Sequence, residues 1–200
     1  MRPWHLALAV VAGLALAPAQ AQPVPWTGWS LGLNLNRSTT ATGFGGAGTT
    51  SSMGAADVHA TVQAAYALPL AGRARLGLGL TLGLGEQQAG RLMLAGSELN
   101  FRMREMYALH AEPGLALGDT TLLYGKLAYL GARGEESYQG ETFSKTYAGL
   151  GYGAGLRIRV GERRYLQLEL LHSDYEWKTA RTGAFRPVST TGSIGLGWHF

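Results

Sequence analysis

Apolar and polar residues alternate strictly along much of the chain. Leu76, Leu78, Leu80, Leu82 and Leu84 fall on one side of an extended segment, with Gly77, Gly79, Thr81 and Gly83 on the other. Period-two alternation marks a β-strand with one apolar face, because successive side chains point to opposite sides of a strand. Leu150, Tyr152, Ala154, Leu156 and Ile158 repeat the pattern against Gly151, Gly153, Gly155, Arg157 and Arg159. Ile194, Leu196, Trp198 and Phe200 repeat it against Gly195, Gly197 and His199. Fainter versions begin at Trp29, Val58, Tyr107, Leu123 and Leu166. The pattern predicts eight strands.

Connections of two lengths separate them. Short turns fall at 69–73, 118–120 and 161–164, and long connections at 38–56, 86–98, 133–146 and 178–188. Short and long alternate, which places all turns at one end and all loops at the other, as in outer-membrane barrels. About 13 residues remain for each strand, against the roughly 9–11 that a tilted strand needs to cross hydrocarbon. The expected fold is therefore all-β: an eight-stranded antiparallel transmembrane barrel with short periplasmic turns and long extracellular loops. A closed barrel leaves no unpaired edge, a requirement in lipid, where water cannot satisfy the backbone. A soluble β-sandwich or lipocalin-like barrel would alternate too, but would need charge on its outer face; here the non-leucine face is mostly Gly, Ser, Thr and Asn.

The start of the chain reads as an export signal. Arg2 precedes an apolar run from Leu6 to Ala17, Pro18 ends it, and Ala19-Gln20-Ala21 is a small-x-small cleavage site. Residues 1–21 are read as a signal peptide and 22–200 as one barrel domain, which places the protein in the cell outer membrane.

Composition sharpens the picture. Charged residues make up 15% of the 200, glycine accounts for 30, and cysteine is absent. High glycine argues against long helices, and no cysteine means no disulfide frame and no thiolate site. The net charge of +4, without a block of like charges, does not point to nucleic acid. The five histidines have no metal-ligand spacing, so neither metal nor cofactor is expected.

Several aromatics sit at strand ends. Trp26, Trp29, Tyr66, Tyr165, Trp198 and Phe200 lie by the short turns or termini, and Phe101, Tyr129, Tyr175 and Trp177 by the long loops. Amphipathic rings favour the headgroup zone, so all ten are expected in two girdles.

The carboxy-terminal run Ile194, Leu196, Trp198, Phe200 resembles the terminal signature of bacterial outer-membrane proteins. The stretches from Tyr107 through Tyr129 and from Tyr147 to Leu156 resemble the small porin-like outer membrane protein β-barrel domain family, which includes the OmpA-type and OmpX-type eight-stranded barrels. The resemblance implies that Trp198 and Phe200 form an assembly signal read by the barrel-assembly machinery. It also implies a structural, adhesive or minor channel role. Outer-membrane lipid, lipopolysaccharide and that machinery are the expected partners of a monomer.

An eight-stranded barrel has room inside for side chains rather than for an open channel. Arg75, Glu112, Lys126, Arg157, Arg159 and Glu169 fall on the inward face, and buried charges need partners. A salt-bridged plug and a gate in a narrow cationic pore both fit this set. The inner glycines are expected to keep the lumen partly hollow, and Gly79 to tolerate serine. His59 and His110 read as lumen polar residues. His172-Ser173-Asp174 suggests a hydrolytic set of the kind used by lipid A-modifying barrels. However, neighbours on a strand face apart, so a triad geometry is not expected there. The sequence reading is a non-enzymatic outer-membrane barrel with a structural, surface-interaction or narrow porin-like role. Its alternatives are a small-solute pore with a gated cationic lumen and, further off, a lipid A-modifying enzyme.

Overall fold

The computed structural model describes residues 25–46, 49–94, 96–179 and 183–200; the expected signal over 1–21 lies outside them. Every regular element in the described residues is a strand. These are β1 Gly28–Gly46, β2 Thr49–Pro69, β3 Ala74–Leu84, β4 Gln87–Leu94 and β5 Ser97–Ala116. They continue as β6 Thr121–Tyr138, β7 Glu141–Arg159, β8 Arg164–Tyr175, β9 Lys178–Thr179 and β10 Ala184–His199.

Eight of them pair antiparallel in the order β1-β2-β3-β5-β6-β7-β8-β10. The ring closes where β10 returns to β1, from Ser30 opposite His199 to Gly45 opposite Ala184. The expected barrel is present, with its short turns on one side. The leucine face is the outer one: Leu31, Leu33, Leu35, Leu109, Leu127, Leu150, Leu170 and Ile194 are all at least half exposed or close to it. Polar residues line the inside instead, among them Asn34, Asn36, Gln63, Glu112, Lys126, Arg157 and Gln167, all buried. This inversion of the soluble pattern suits a barrel whose exterior solvent is hydrocarbon.

The four long connections carry most of their length as strand. β1 runs on to Gly46 and β2 starts at Thr49, so the segment 38–56 is chiefly ladder. From Ser38 to Thr42 its inner face buries hydroxyls rather than hydrocarbon. Ser38 Oγ lies 2.6 Å from Thr191 Oγ1, the Thr42 hydroxyl donates to the Ala89 carbonyl at 2.7 Å, and Gln87 Nε2 donates to Thr40 Oγ1 at 3.1 Å. With polar residues on both faces, the apolar alternation fades while the strand continues.

Above the membrane band the wall divides. The β2–β3 ladder stops at Ala60 and Leu84, and β4, set off by a bend at Gly85 (φ +91°), pairs only with β5. The β7–β8 ladder begins at Gly149. What rises above is a pair of sheets, β4-β5-β6-β7 and β2-β1-β10-β9. A hydrophobic core joins them. Phe44, Met53 and Phe185 from one sheet meet Leu99, Phe101 and Tyr147 from the other. The Phe101 and Phe185 rings stack with centroids 5.2 Å apart and 4° between planes. One edge is fastened by Asp57, whose Oδ2 accepts the Gln88 N–H at 2.7 Å.

The girdle expectation needs correction. Trp29, Tyr129, Trp177, Trp198 and Phe200 do face outwards, and Trp29 packs edge-on against Tyr66 at 5.2 Å. Trp26, Tyr165, Phe101 and Tyr175 are instead buried inside the ring. An aromatic at a strand end satisfies β-propensity on either face; the parity of its position, not its height, decides which. At the seam between the chain ends Gly28 is required. It has φ +102°, and a Cβ there would come 2.7 Å from the Phe200 carbonyl oxygen.

Candidate functional site

Four of the inward charges meet in one network. Glu112 on β5 is its centre. Arg157 on β7 donates to Glu112 Oε2 at 2.7 Å, and Gln63 on β2 donates to Oε1 at 3.1 Å. Lys126 Nζ on β6 lies 3.4 Å from the same Oε1. Lys126 also reaches Glu169 on β8 at 2.6 Å, and Glu169 accepts the Tyr124 hydroxyl at 2.8 Å. Arg157 Nε donates to Gln167 Oε1 at 2.8 Å, and its guanidinium lies over the Tyr124 ring at 4.5 Å. Strands from opposite sides of the ring are thereby tied across the lumen. Glu112, Lys126 and Arg157 are each 5% exposed or less.

Arg75 and Arg159, expected in this set, lie elsewhere. Both serve the periplasmic floor. Arg75 Nε donates to the Pro25 carbonyl at 2.9 Å, which holds the segment entering β1. Arg159 lies over the Trp26 ring at 5.1 Å. Trp26 itself is 2% exposed and packs edge-on against Tyr165 at 6.1 Å and His199 at 6.3 Å. Sequence parity placed both arginines inward but could not show that the residues before β1 fold back under the barrel to meet them.

Gln63, Gln167 and Tyr124 are parts of the network that charge-based reading missed. Each sits at an inward position of an alternating strand, so parity alone contained the signal. His110 is also inside, with Nε2 3.3 Å from Glu112 Oε1, while His59 is half-buried.

The inner glycines do not leave space. The Tyr124 ring covers Gly155, Tyr165 covers Gly197, Leu130 covers Gly151, and Glu112 covers Gly77. Glycine on one strand is what lets a large side chain from its neighbour lie flat against the wall. At Gly79 a Cβ would approach the Ala64 carbonyl oxygen to 2.6 Å and Ala65 Cβ to 2.8 Å. Serine is therefore strained there, contrary to the expectation from the sequence.

His172, Ser173 and Asp174 do not converge. His172 faces outwards on the Tyr152 ring at 5.1 Å, with Nδ1 3.2 Å from Thr190 Oγ1. Ser173 is buried inside, and Asp174 pairs with Arg186, Oδ1 accepting Nε at 2.9 Å.

Charge on the outer wall gathers above the leucine band. Glu86 takes both Arg102, at 3.1 Å, and Arg104. The hydrogen bond from Arg104 chiefly holds its carboxyl below the usual range. Arg104 also reaches Glu135 at 3.2 Å.

Among solved structures similar to this one are several that are remote in sequence. Outer membrane protein OprG of Pseudomonas aeruginosa matches with TM-score 0.58 and 9% identity, over 88% of this chain and 99% of that one. The outer membrane protease OmpT of Escherichia coli matches with TM-score 0.53 and 10% identity, over 90% and 99%. Ail, the attachment invasion locus protein of Yersinia pestis, matches with TM-score 0.49 and 15% identity, over 87% and 99%. No sequence among curated proteins matches this one. The model of the outer membrane protein beta-barrel domain matches residues 6–200. With its closed ring, its lipid-type exterior and that match, the chain belongs to the outer membrane protein β-barrel domain family and resides in the outer membrane.

Proposed function

We propose that this barrel is a non-enzymatic, non-conducting scaffold that carries a rigid two-sheet platform on the cell exterior. The observation that supports this reading is the position of Glu112. It is buried at mid-lumen and bound from three other strands, with the Trp26 floor beneath it and the Phe101–Phe185 core above. Three fillings in series leave ions no continuous aqueous route. The separation of His172, Ser173 and Asp174 favours the same reading over hydrolysis.

Planar-bilayer recording on the refolded barrel tests it, paired with mass spectrometry of lipid A from expressing cells. Flat current at moderate voltage and an unchanged acyl pattern are expected. Regular unitary steps would refute the scaffold in favour of a gated pore, and a gained or lost acyl chain would refute it in favour of an enzyme. In the same reading the outward Trp198 and Phe200, 45% and 65% exposed, serve as the contact for the assembly machinery. Phe200→Ala then lowers the folded yield in cells while unassisted refolding in detergent proceeds as before.

A further inference from the structure

On the outer wall a shallow furrow of about 710 Å³ crosses β6, β7, β8, β10 and β1. Its lower lip is a row of large apolar side chains joined strand to strand by the ladder. Leu123 stands opposite Leu156, Leu156 opposite Leu168, Leu168 opposite Ile194, and Ile194 opposite Leu35. The next outward row is small where the furrow is deepest. It runs Ala154, Leu170, Gly192 and Arg37 through the same pairings. Five strands span four strand spacings, about 19 Å at roughly 4.8 Å each. Strands tilted about 40° incline such a row by the same angle to the membrane plane, so the furrow climbs about 12 Å. One leaflet of a hydrocarbon core about 30 Å thick is about 15 Å deep.

The upper end is polar. Arg37 lines the furrow, is exposed, and has neither an ion pair nor a hydrogen bond among the described residues. Other arginines towards the exterior end differ in this respect: Arg91, Arg102, Arg104, Arg133 and Arg186 each face a carboxylate. The row above Arg37 runs Thr39, Thr190, His172 and Tyr152, four side chains with a hydroxyl or ring nitrogen. An unpaired guanidinium at the top of an apolar track of single-leaflet depth, beneath a polar shelf, complements an acyl chain carrying a phosphate.

We infer that this furrow is a specific seat for one phosphorylated lipid of the outer leaflet, of the lipid A type. One acyl chain lies along the row from Leu35 to Leu123. A phosphate sits on Arg37, and sugar or ester oxygens rest on the Thr39–Thr190 shelf. The site is independent of whether the lumen conducts.

Gly192 makes the tail arm of the test clean. A Cβ added there meets no atom within 4 Å, so Gly192→Leu enters the furrow with no clash at its first carbon. The refolded full chain in detergent is mixed with bis-phosphorylated lipid A, with its dephosphorylated form, and with inorganic phosphate. Retention is read by native mass spectrometry. Wild type is expected to keep one bis-phosphorylated lipid, and both Arg37→Ala and Gly192→Leu to lower its affinity about tenfold. For Arg37→Ala that is the factor for losing one charge-assisted contact; Gly192→Leu acts by occupying the space of the acyl chain. Arg163→Ala, which removes an exposed cation at a periplasmic turn, is expected to match wild type. Heat-shifted gel migration verifies that every variant is folded. Equal retention by wild type and both furrow variants overturns the site. Equal binding of the dephosphorylated lipid overturns the phosphate role, and loss in Arg37→Ala without loss in Gly192→Leu overturns the acyl seat. Binding of free phosphate as tight as that of lipid A would show an anion site and overturn the lipid.

Discussion

Glu112→Ala is the most informative single change to this barrel. The substitution removes the acceptor of Arg157 at 2.7 Å and of Gln63 at 3.1 Å, and the second carboxylate of Lys126, at 3.4 Å. Arg157 is left enclosed with the neutral Gln167 oxygen at 2.8 Å and the Tyr124 and Tyr165 faces at 4.5 and 5.5 Å. Breaking a buried ion pair by deleting one member costs about 3–5 kcal/mol, because the survivor remains charged and desolvated. Glu169→Ala is milder. It deprives Lys126 of its 2.6 Å partner, but Glu112 stays within 3.4 Å, so the loss is nearer that of one hydrogen bond to a charge, about 1.5–3 kcal/mol. Glu98→Ala serves as control: its contact with Arg91 is 3.9 Å long and more than half exposed, a class of pair that contributes roughly 0–1 kcal/mol. Urea unfolding in lipid vesicles, followed by tryptophan fluorescence, measures all three. With a slope of about 2 kcal/mol/M, Glu112→Ala lowers the midpoint by about 2 M, Glu169→Ala by about 1 M, and Glu98→Ala barely. Arg157→Met added to Glu112→Gln should recover much of the loss, since neutral replacement of both partners leaves neither charge stranded. A Glu112→Ala midpoint equal to that of Glu98→Ala would show that the network does not hold the ring together.

Three further outcomes are expected. Unheated and boiled samples migrate differently in SDS gels, because the ladder from β1 round to β10 has no free edge in the band; identical migration would contradict closure. Leu80→Arg lowers assembled yield sharply, since arginine on the lipid face at the midplane costs about 2–4 kcal/mol. Gly79→Ser next to it is also damaging, through contact with the Ala64 carbonyl, and a folded yield like wild type in either variant would contradict the packing there. Phe185→Ala removes the ring stacked on Phe101 and costs the platform about 3–5 kcal/mol. Because the two sheets separate above Ala60 and Gly149, the damage stays local. Limited proteolysis should then cut the exterior strands quickly while the gel shift of the membrane ring persists, whereas loss of both together would show one cooperative unit.

The barrel was legible in the sequence wherever one face was hydrocarbon and the other was not, as at Leu76 to Leu84. The exterior extensions were not, because Ser38, Thr40 and Thr42 face inwards and bond to Thr191, Gln87 and the Ala89 carbonyl. No hydrophobic contrast marks a strand whose two faces are both polar. The membership of the lumen network was half legible. Parity put Glu112, Lys126, Arg157 and Glu169 inside, and it also put Arg75 and Arg159 there. The height of each residue around the ring separates the two groups, and height depends on the stagger between strands, which no local pattern encodes. The inner glycines were read as space because a missing side chain looks like a gap in sequence. In three dimensions each meets atoms of a neighbouring strand, as Gly155 does the Tyr124 ring and Gly77 the Glu112 side chain.

The pairing of β1 with β10 has a consequence for when the protein can form. Ser30 and His199 are partners although nearly the whole chain lies between them. Every other ladder in the ring joins segments that are close in sequence, so hairpins can zip as they emerge. The last seam cannot, because β10 is the last strand of the ring in chain order and β1 the first. Bringing ends so distant together carries the largest loop-closure entropy of any contact in the molecule and sets a slow, high-contact-order step. Until it is complete, β1 and β10 present open edges that lipid cannot solvate. A lipid-compatible wall is therefore complete only when the first and last strands of the ring have met.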